Sequence, residues 1–412
     1  MLKRIPSQHL RVGMYIQELC GSWLEHPFWR TSFLLKDPRD IRRIIESGTH
    51  EVWIDTSKGL DVESDEDVET EESAEKKVDE SLAQIALRSA QTAQTSVAEE
   101  AARAAMICSR AKNAVSSMFR EARMGKALDA ADAMPLVEEI SYSLTRNPGA
   151  LINLARLKDK DDYTYMHSVA VCGLMIALAR QLGLNEQQVK QAGVAGLLHD
   201  IGKMTIPPEV LGKPGKLTDA EFELVKSHPK EGYLMLLEGK GVDDVALDVC
   251  LHHHEKVDGS GYPEKLSSDQ ISLFSKMGAV CDVYDAITSN RPYKAGWEPA
   301  ESLRKMAEWS KGHFDNTIFQ AFVRSIGIYP VGSLVRLQSE RLAVVMDQSG
   351  KSLLTPQVKV FFSIKTKSRI HPEILDLSKA GVRDKIVSHE NPAQWGITDV
   401  VNLWSGLPGR PW

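Results

Sequence analysis

The chain has little of what several common functions require. Its five cysteines in 412 residues (Cys20, Cys108, Cys172, Cys250 and Cys281) form no CxxC pair and make an odd total. That argues against a disulfide framework and for a reducing compartment. Positive charge is not in excess either. The formal net charge is −6, so no global basic field draws in nucleic acid or an anionic membrane, and DNA or RNA is not an expected partner. An anionic substrate must then be held by a local set of cations, either metal ions or a few placed Lys and Arg. The longest apolar run, Val169–Ala179, is too short for the ~20 residues of a membrane span. The opening Met1-Leu2-Lys3-Arg4-Ile5-Pro6 lacks the apolar stretch of a signal peptide, so a cytoplasmic location is expected. Residues 1–60 show no Gly-rich phosphate loop, no ligand cluster and no phosphorylatable-aspartate pattern, so any signal they sense is unreadable here.

Five stretches differ in style. Residues 1–60 read as a small α+β accessory unit, with strand-like Gly13–Ile16 and Glu51–Ile54 around a helix at Pro38–Ser47, stopped by Gly48. Residues 61–75 hold nine acids and no Lys or Arg, which predicts a solvated linker. Residues 76–145 are a helical connector rich in Ala, Glu, Lys and Arg. Its Ser89–Ser117 stretch has two readings: an interaction surface, including a homodimer seam, or a helix covering the next domain. Residues 146–330 are helix after helix with Gly and Pro punctuation. Residues 331–412 change again: Ser333–Gln338, Arg341–Asp347 and Gln357–Phe362 alternate like strands, followed by an irregular tail. The expected fold is mainly α: an all-helical catalytic domain, the small N-terminal α+β unit and a short C-terminal β element.

The helical region concentrates metal-capable residues: His167, His199-Asp200, His228, His253-His254 and Asp282. Imidazoles and carboxylates suit iron, manganese, zinc and similar ions. Seven ligands are too many for one ion and about right for two sharing a carboxylate, an arrangement that activates a water and stabilises a phosphate under attack. Taken singly, each of these histidines is more often a satisfied core or surface residue, and Asp282 could be a cap or a surface acid. His252 makes one run triple, and one of those three is expected not to be a ligand. What helix packing does not generate is the joint order, with a histidine pair followed at once by Glu255, Asp258, Gly259 and Gly261-Tyr262-Pro263.

Three segments carry a resemblance: His199-Asp200-Ile201-Gly202-Lys203, His253 through Pro263, and Asp282-Val283-Tyr284-Asp285-Ala286-Ile287-Thr288, completed by Arg291-Pro292-Tyr293-Lys294. With them, the region from Tyr163 to Arg324 resembles the HD-GYP family of cyclic di-GMP phosphodiesterases, a branch of the HD metal-dependent phosphohydrolases. The N-terminal part resembles, more weakly, an accessory region that precedes such domains in bacteria.

The resemblance implies that His167, His199, Asp200 and Asp282 hold one divalent ion. Asp200 would bridge to a second, held by His228, His253 and His254. Iron or manganese is the expected metal, with zinc, nickel and cobalt admitted by the same donors. It also implies hydrolysis of cyclic di-GMP to pGpG and on to GMP by a metal-activated water. Lys203, three residues after Asp200, would hold the phosphate or protonate the leaving oxygen, and Arg291 and Lys294 would bind phosphate. The Gly-Tyr-Pro loop is read as structural or as a docking point for a signalling protein. Where some relatives place a glutamate for a third metal this chain has Tyr163, which predicts two ions. Two other readings stand beside this one: a module that binds the nucleotide or a protein without cleaving it, and a phosphohydrolase for another nucleotide.

Overall fold

The computed structural model describes residues 1–20, 32–62, 68–86, 95–157, 163–213, 215, 217–289, 296–348 and 352–407. The chain opens with β1 (Leu2–Pro6), β2 (Tyr15–Leu19), β3 (Phe33–Leu34), α1 (Pro38–Glu46), β4 (Glu51–Asp55) and β5 (Glu69–Thr70). The strands form one antiparallel sheet in the order β3-β2-β4-β1-β5. Alternation dictates its buried face. Ile5, Ile16, Val52 and Ile54 point inward with Ile44 of α1 packed over them. The helix starts where Asp37 accepts from the Arg39 N–H and Pro38 occupies the first turn. It stops at Gly48, whose φ of +75° an L side chain rarely adopts.

The described part of the acidic run is not a free linker, which corrects the expectation for residues 61–75. Glu69–Thr70 pairs with Lys3 and Arg4 of β1, and α2 (Glu71–Ala86) begins at the next residue. Glu69 meets both Arg4 and Lys77, so cations from outside the run neutralise it.

Helix α3 (Val97–Arg123) starts at a reciprocal capping box between Ser96 and Glu99. Its Ala101, Ala104, Ala105, Cys108, Ala111 and Val115 form a buried stripe against later helices, so the alanines covering this chain's own core are the ones the structure describes. The helical region continues through α4 (Met134–Arg146), α5 (Pro148–Ala155), α6 (Tyr163–Gln181), α7 (Glu186–Leu198), α8 (Pro208–Leu211), α9 (Asp219–Lys226), α10 (His228–Leu237), α11 (Asp244–His252), α12 (Leu273–Thr288), α13 (Pro299–His313) and α14 (Asn316–Ile326). Helix α6 is buried nearly all round, as its run of apolar residues requires. It forms the axis on which α7, α12 and α14 pack.

The C-terminal element is larger than expected. β6 (Leu334–Leu337), β7 (Arg341–Asp347), β8 (Gln357–Ser363), β9 (Ser368–Asp376) and β10 (Ile386–His389) form a second antiparallel sheet in the order β10-β6-β7-β8-β9, and α15 (Val400–Ser405) follows. Leu334, Leu342, Val344, Met346 and Phe361 face the helices, while Val335, Leu337, Ala343, Val345, Val358 and Val360 build a small core on the other face. No helix among the described residues is long and apolar enough to cross a membrane.

Candidate metal centre

Four helix ends and two helix interiors deliver the site. His167 lies on the inward face of α6, and Asp282 on that of α12. His199 ends α7, and Asp200 opens the short 3-10 turn Ile201–Thr205. Gly202 in that turn touches the start of α10 so closely that a Cβ would run into the His228 carbonyl and the Gly232 amide. This contact sets His228 beside Asp200. His253 ends α11, and His254 follows it. His167, His199, Asp200, His228, His253 and Asp282 are all buried.

The two oxygens of Asp200 face different imidazoles. Its Oδ2 lies 3.4 Å from His167 Nε2 and 3.5 Å from His199 Nε2. Its Oδ1 lies 3.2 Å from His228 Nε2 and 3.7 Å from His253 Nε2. Asp282 closes the first group, with Oδ1 2.9 Å from His167 Nε2 and 3.8 Å from His199 Nε2. His228, His253 and His254 bring one nitrogen each to within 4.8 Å of one another.

Outer partners orient the rings. His167 Nδ1 donates to Asp285 Oδ2 at 2.6 Å, His199 Nδ1 to the Gly196 carbonyl at 2.8 Å and His228 Nδ1 to the Val225 carbonyl at 2.7 Å. His253 Nδ1 is 3.0 Å from the Val249 carbonyl. A neutral ring whose Nδ1 carries the proton presents an Nε2 lone pair. All four Nε2 atoms point at the centre, and those of His228 and His253 stand only 3.3 Å apart. Two lone pairs at that distance call for a cation between or beside them.

The buried atoms give the same test independently. His199 Nε2 and Asp200 Oδ1 are shielded from solvent and make no hydrogen bond, a costly arrangement unless another group satisfies them. Burial, reinforced by the neighbouring His199 and His228, pushes the His253 imidazole down to about 3. Burial likewise lowers His254 well below its usual range, and lowers His228. These three rings are therefore neutral near pH 7. For Asp200 burial opposes ionisation, but the adjoining Lys203 ammonium holds the carboxyl well below its ordinary value, and against burial Asp200 and Asp282 raise the His199 imidazole. Neutral imidazoles and ionised carboxylates are the donors that divalent ions take, so the residues fit such ions.

Around this centre, Lys203 bends back on its turn and donates to Asp200 Oδ2 with its side chain partly exposed. Tyr262 stacks on His254 at 4.6 Å between centroids, and Tyr163 stacks on His167 at 5.8 Å. His252 turns away, its Nδ1 2.8 Å from Asp248 Oδ1 and its Nε2 3.4 Å from Glu264. Arg291 and Lys294 lie outside the described residues. Two residues carry roles that sequence reasoning did not assign. Asp285 orients His167, and its signal was the three-residue offset from Asp282 on one helix face. Glu255 closes the Gly-Tyr-Pro loop by accepting the N–H groups of Glu264, Lys265 and Leu266 at 2.7, 3.0 and 3.0 Å.

Comparison with known proteins separates the two halves of the chain. Residues 145–318 match the family described as HD domain, and residues 2–133 match a domain of unknown function, DUF3391. The second match joins the accessory unit and most of the connector into one region. A cyclic di-GMP phosphodiesterase of Pseudomonas aeruginosa is 56% identical over 409 residues, spanning 99% of this chain and 96% of that protein. The chain belongs to the HD-GYP family of metal-dependent phosphodiesterases. Over the HD-GYP region alone, a cyclic di-GMP phosphodiesterase response regulator of Xanthomonas campestris is 41% identical across 155 residues, 37% of this chain and 40% of its own length. A 3'3'-cGAMP-specific phosphodiesterase of Vibrio cholerae is 38% identical across 167 residues, 40% of this chain and 38% of its own.

Proposed function

We propose that this HD-GYP chain hydrolyses cyclic di-GMP to linear pGpG, and pGpG onward to GMP, at a centre holding two divalent ions. The observation that carries the reading is the split of Asp200, one oxygen toward His167 and His199 and the other toward His228 and His253. A carboxylate shared in this way is what two adjacent ions require. His167, His199, Asp200 and Asp282 would hold one ion, and Asp200, His228, His253 and His254 the other. Iron or manganese is the metal class favoured, with zinc, nickel and cobalt compatible with the same donors. When bound, the ions supply a water acidic enough to ionise near neutrality and positive charge for the phosphate under attack.

The chain's own groups do the remaining work. Asp285 keeps His167 in the tautomer whose Nε2 is a lone pair. Lys203, beside Asp200 and partly exposed, places a cation at the rim. From there it can hold the scissile phosphate or give a proton to the departing 3' oxygen. Tyr163 against His167 leaves an aromatic ring where a third ion would need a carboxylate, so two ions per chain are expected. Tyr262, stacked on His254, forms one wall of the approach.

A hybrid cyclic dinucleotide is the second reading, favoured by the likeness to the Vibrio cholerae relative specific for 3'3'-cGAMP. The deciding experiment is anaerobic purification with elemental analysis, followed by turnover of cyclic di-GMP, pGpG and 3'3'-cGAMP at saturating Mn²⁺ or Fe²⁺. Cyclic di-GMP should give the highest kcat/KM. A preference for 3'3'-cGAMP would transfer the assignment, and tight binding with no product would leave a binding module.

A further inference from the structure

Besides the pair of Glu18 in β2 with Lys305 of α13 at 3.1 Å, the N-terminal unit makes two contacts that flank the metal centre. Arg43 of α1 lies 3.2 Å from Asp219, the first residue of α9. His50, just before β4, places Nε2 2.8 Å from Asp258 Oδ2 in the loop that follows His253-His254. The turn between them rests on the same loop: a Cβ built on Gly48 would lie 3.4 Å from Ser260 Oγ and 3.8 Å from Lys256 Nζ.

Both contacted segments lead straight to imidazoles. Helix α9 ends at Lys226, and His228 opens α10 after the single intervening Ser227. The loop begins at His254 and returns Tyr262 onto that ring. The segments also meet each other, with Lys226 Nζ 5.8 Å from the Tyr262 ring centroid. A closed circuit results, running from α1 to α9, to Tyr262, along the loop to Asp258 and back to His50.

The rest of the loop is held from the other side. The Asp258 N–H donates to the Gly312 carbonyl at 3.1 Å and the Val257 N–H to the His313 carbonyl at 3.3 Å. Asp258 Oδ1 accepts from the Ser260 N–H at 2.8 Å, while Oδ2 faces His50. The end of α13 and the N-terminal unit therefore grip one residue between them.

We propose that the N-terminal unit is a brace in cis that sets the opening between α9 and the Gly-Tyr-Pro loop, with His50 and Arg43 as positioning residues. The partner docked on this loop is the chain's own accessory unit. Anything that lifts that unit away loosens both walls of the approach at once. The brace rests on the proposed function only for its effect on substrate; its effect on the loop does not.

The test uses the full chain, as wild type and as His50→Ala, Arg43→Ala, the double variant and His50→Gln. Hydrogen–deuterium exchange is followed in segments 217–227 and 256–266, with steady-state cleavage of cyclic di-GMP alongside. Solvent-exposed polar pairs have modest effects, so exchange should quicken about two- to five-fold in 256–266 for His50→Ala and in 217–227 for Arg43→Ala. The double variant should loosen both segments and raise KM with kcat little changed. His50→Gln, whose amide can reach the same oxygen, should restore loop and KM together. Wild-type exchange in both segments of the double variant would overturn the brace, as would loosening spread evenly over the chain. Faster exchange with an unmoved KM would overturn the positioning role. Absence of turnover by the wild type would instead count against the proposed function, and the exchange result would still decide the brace.

Discussion

Glu100 and Asp200 are both acids with almost no exposed surface, and they are treated in opposite ways. At the joint between α3 and α4, Glu100 accepts from Ser143 Oγ at 2.9 Å and from Arg146 Nε and Nη2 at 2.7 and 2.6 Å. Burial there opposes ionisation, and Arg146 and Ser143 outweigh it, leaving the carboxyl below its usual range. In the metal centre, Asp200 Oδ2 accepts from Lys203, while its Oδ1 stands among imidazole nitrogens and makes no hydrogen bond. A saturated buried carboxylate is a structural tie. One left open among lone pairs fits a divalent cation better than it fits a structural tie.

Removing each acid separates the two roles. If Asp200 bridges the two proposed ions, Asp200→Ala should abolish metal retention and lower kcat by on the order of a thousandfold or more, read by elemental analysis and turnover together. Its metal-free form also loses the Lys203 contact with Asp200 Oδ2, so it should melt somewhat below metal-free wild type. Retained activity would break the comparison at once. Glu100→Ala should do the reverse, costing about 3 kcal/mol in urea unfolding by stranding Arg146. Metal content and kcat per folded molecule should stay at wild-type values.

Smaller changes sharpen the contrast. Asp285→Asn keeps a side chain beside His167 but weakens its hold on the ring, and metal affinity should fall about ten- to a hundredfold in competition with a chelator. An unchanged affinity would reduce Asp285 to packing. Glu298 supplies a third case: its Oε1 is buried without a hydrogen bond, and burial pushes the carboxyl up to about 7, only partly offset by Arg156. Between the ordinary glutamate value and about 7 the folded chain binds more protons than the unfolded one, so stability should fall as pH rises through that window. Glu298→Gln should flatten the slope by on the order of 1 kcal/mol per pH unit, measured as urea midpoints from pH 5 to 8. A slope unaltered by the substitution would remove Glu298 as its source.

Local patterns told most about the elements whose residues alternate or cap. The Pro38 helix start, the Gly48 stop and the strands around Trp53 and Val344 were legible because their apolar period and end signals agree. β9 was not. It is a largely exposed edge strand containing Pro372 and charged residues, held by pairing with β8 rather than by alternation. The acidic run misled for a similar reason. Its charge predicts a solvated linker, but Arg4 and Lys77, distant or off the run, draw Glu69 into a sheet. In the candidate site, the seven proposed ligands could be named because imidazole and carboxylate chemistry is a property of residue type. Asp285 and Glu255 stood inside the quoted motifs without roles, since an orienting hydrogen bond depends on where a ring nitrogen points.

By itself, the sequence determined which donors are available, in what order, and on which helix ends they fall, because caps, glycines and residue chemistry act within a few positions. Tertiary structure alone decided that Asp200 turns one oxygen to each group of imidazoles, since that follows from how α6, α7, α10, α11 and α12 pack. It alone decided, too, that His50 meets Asp258 across 208 positions of chain. No local rule relates residues that far apart, and only the folded packing brings them within a hydrogen bond.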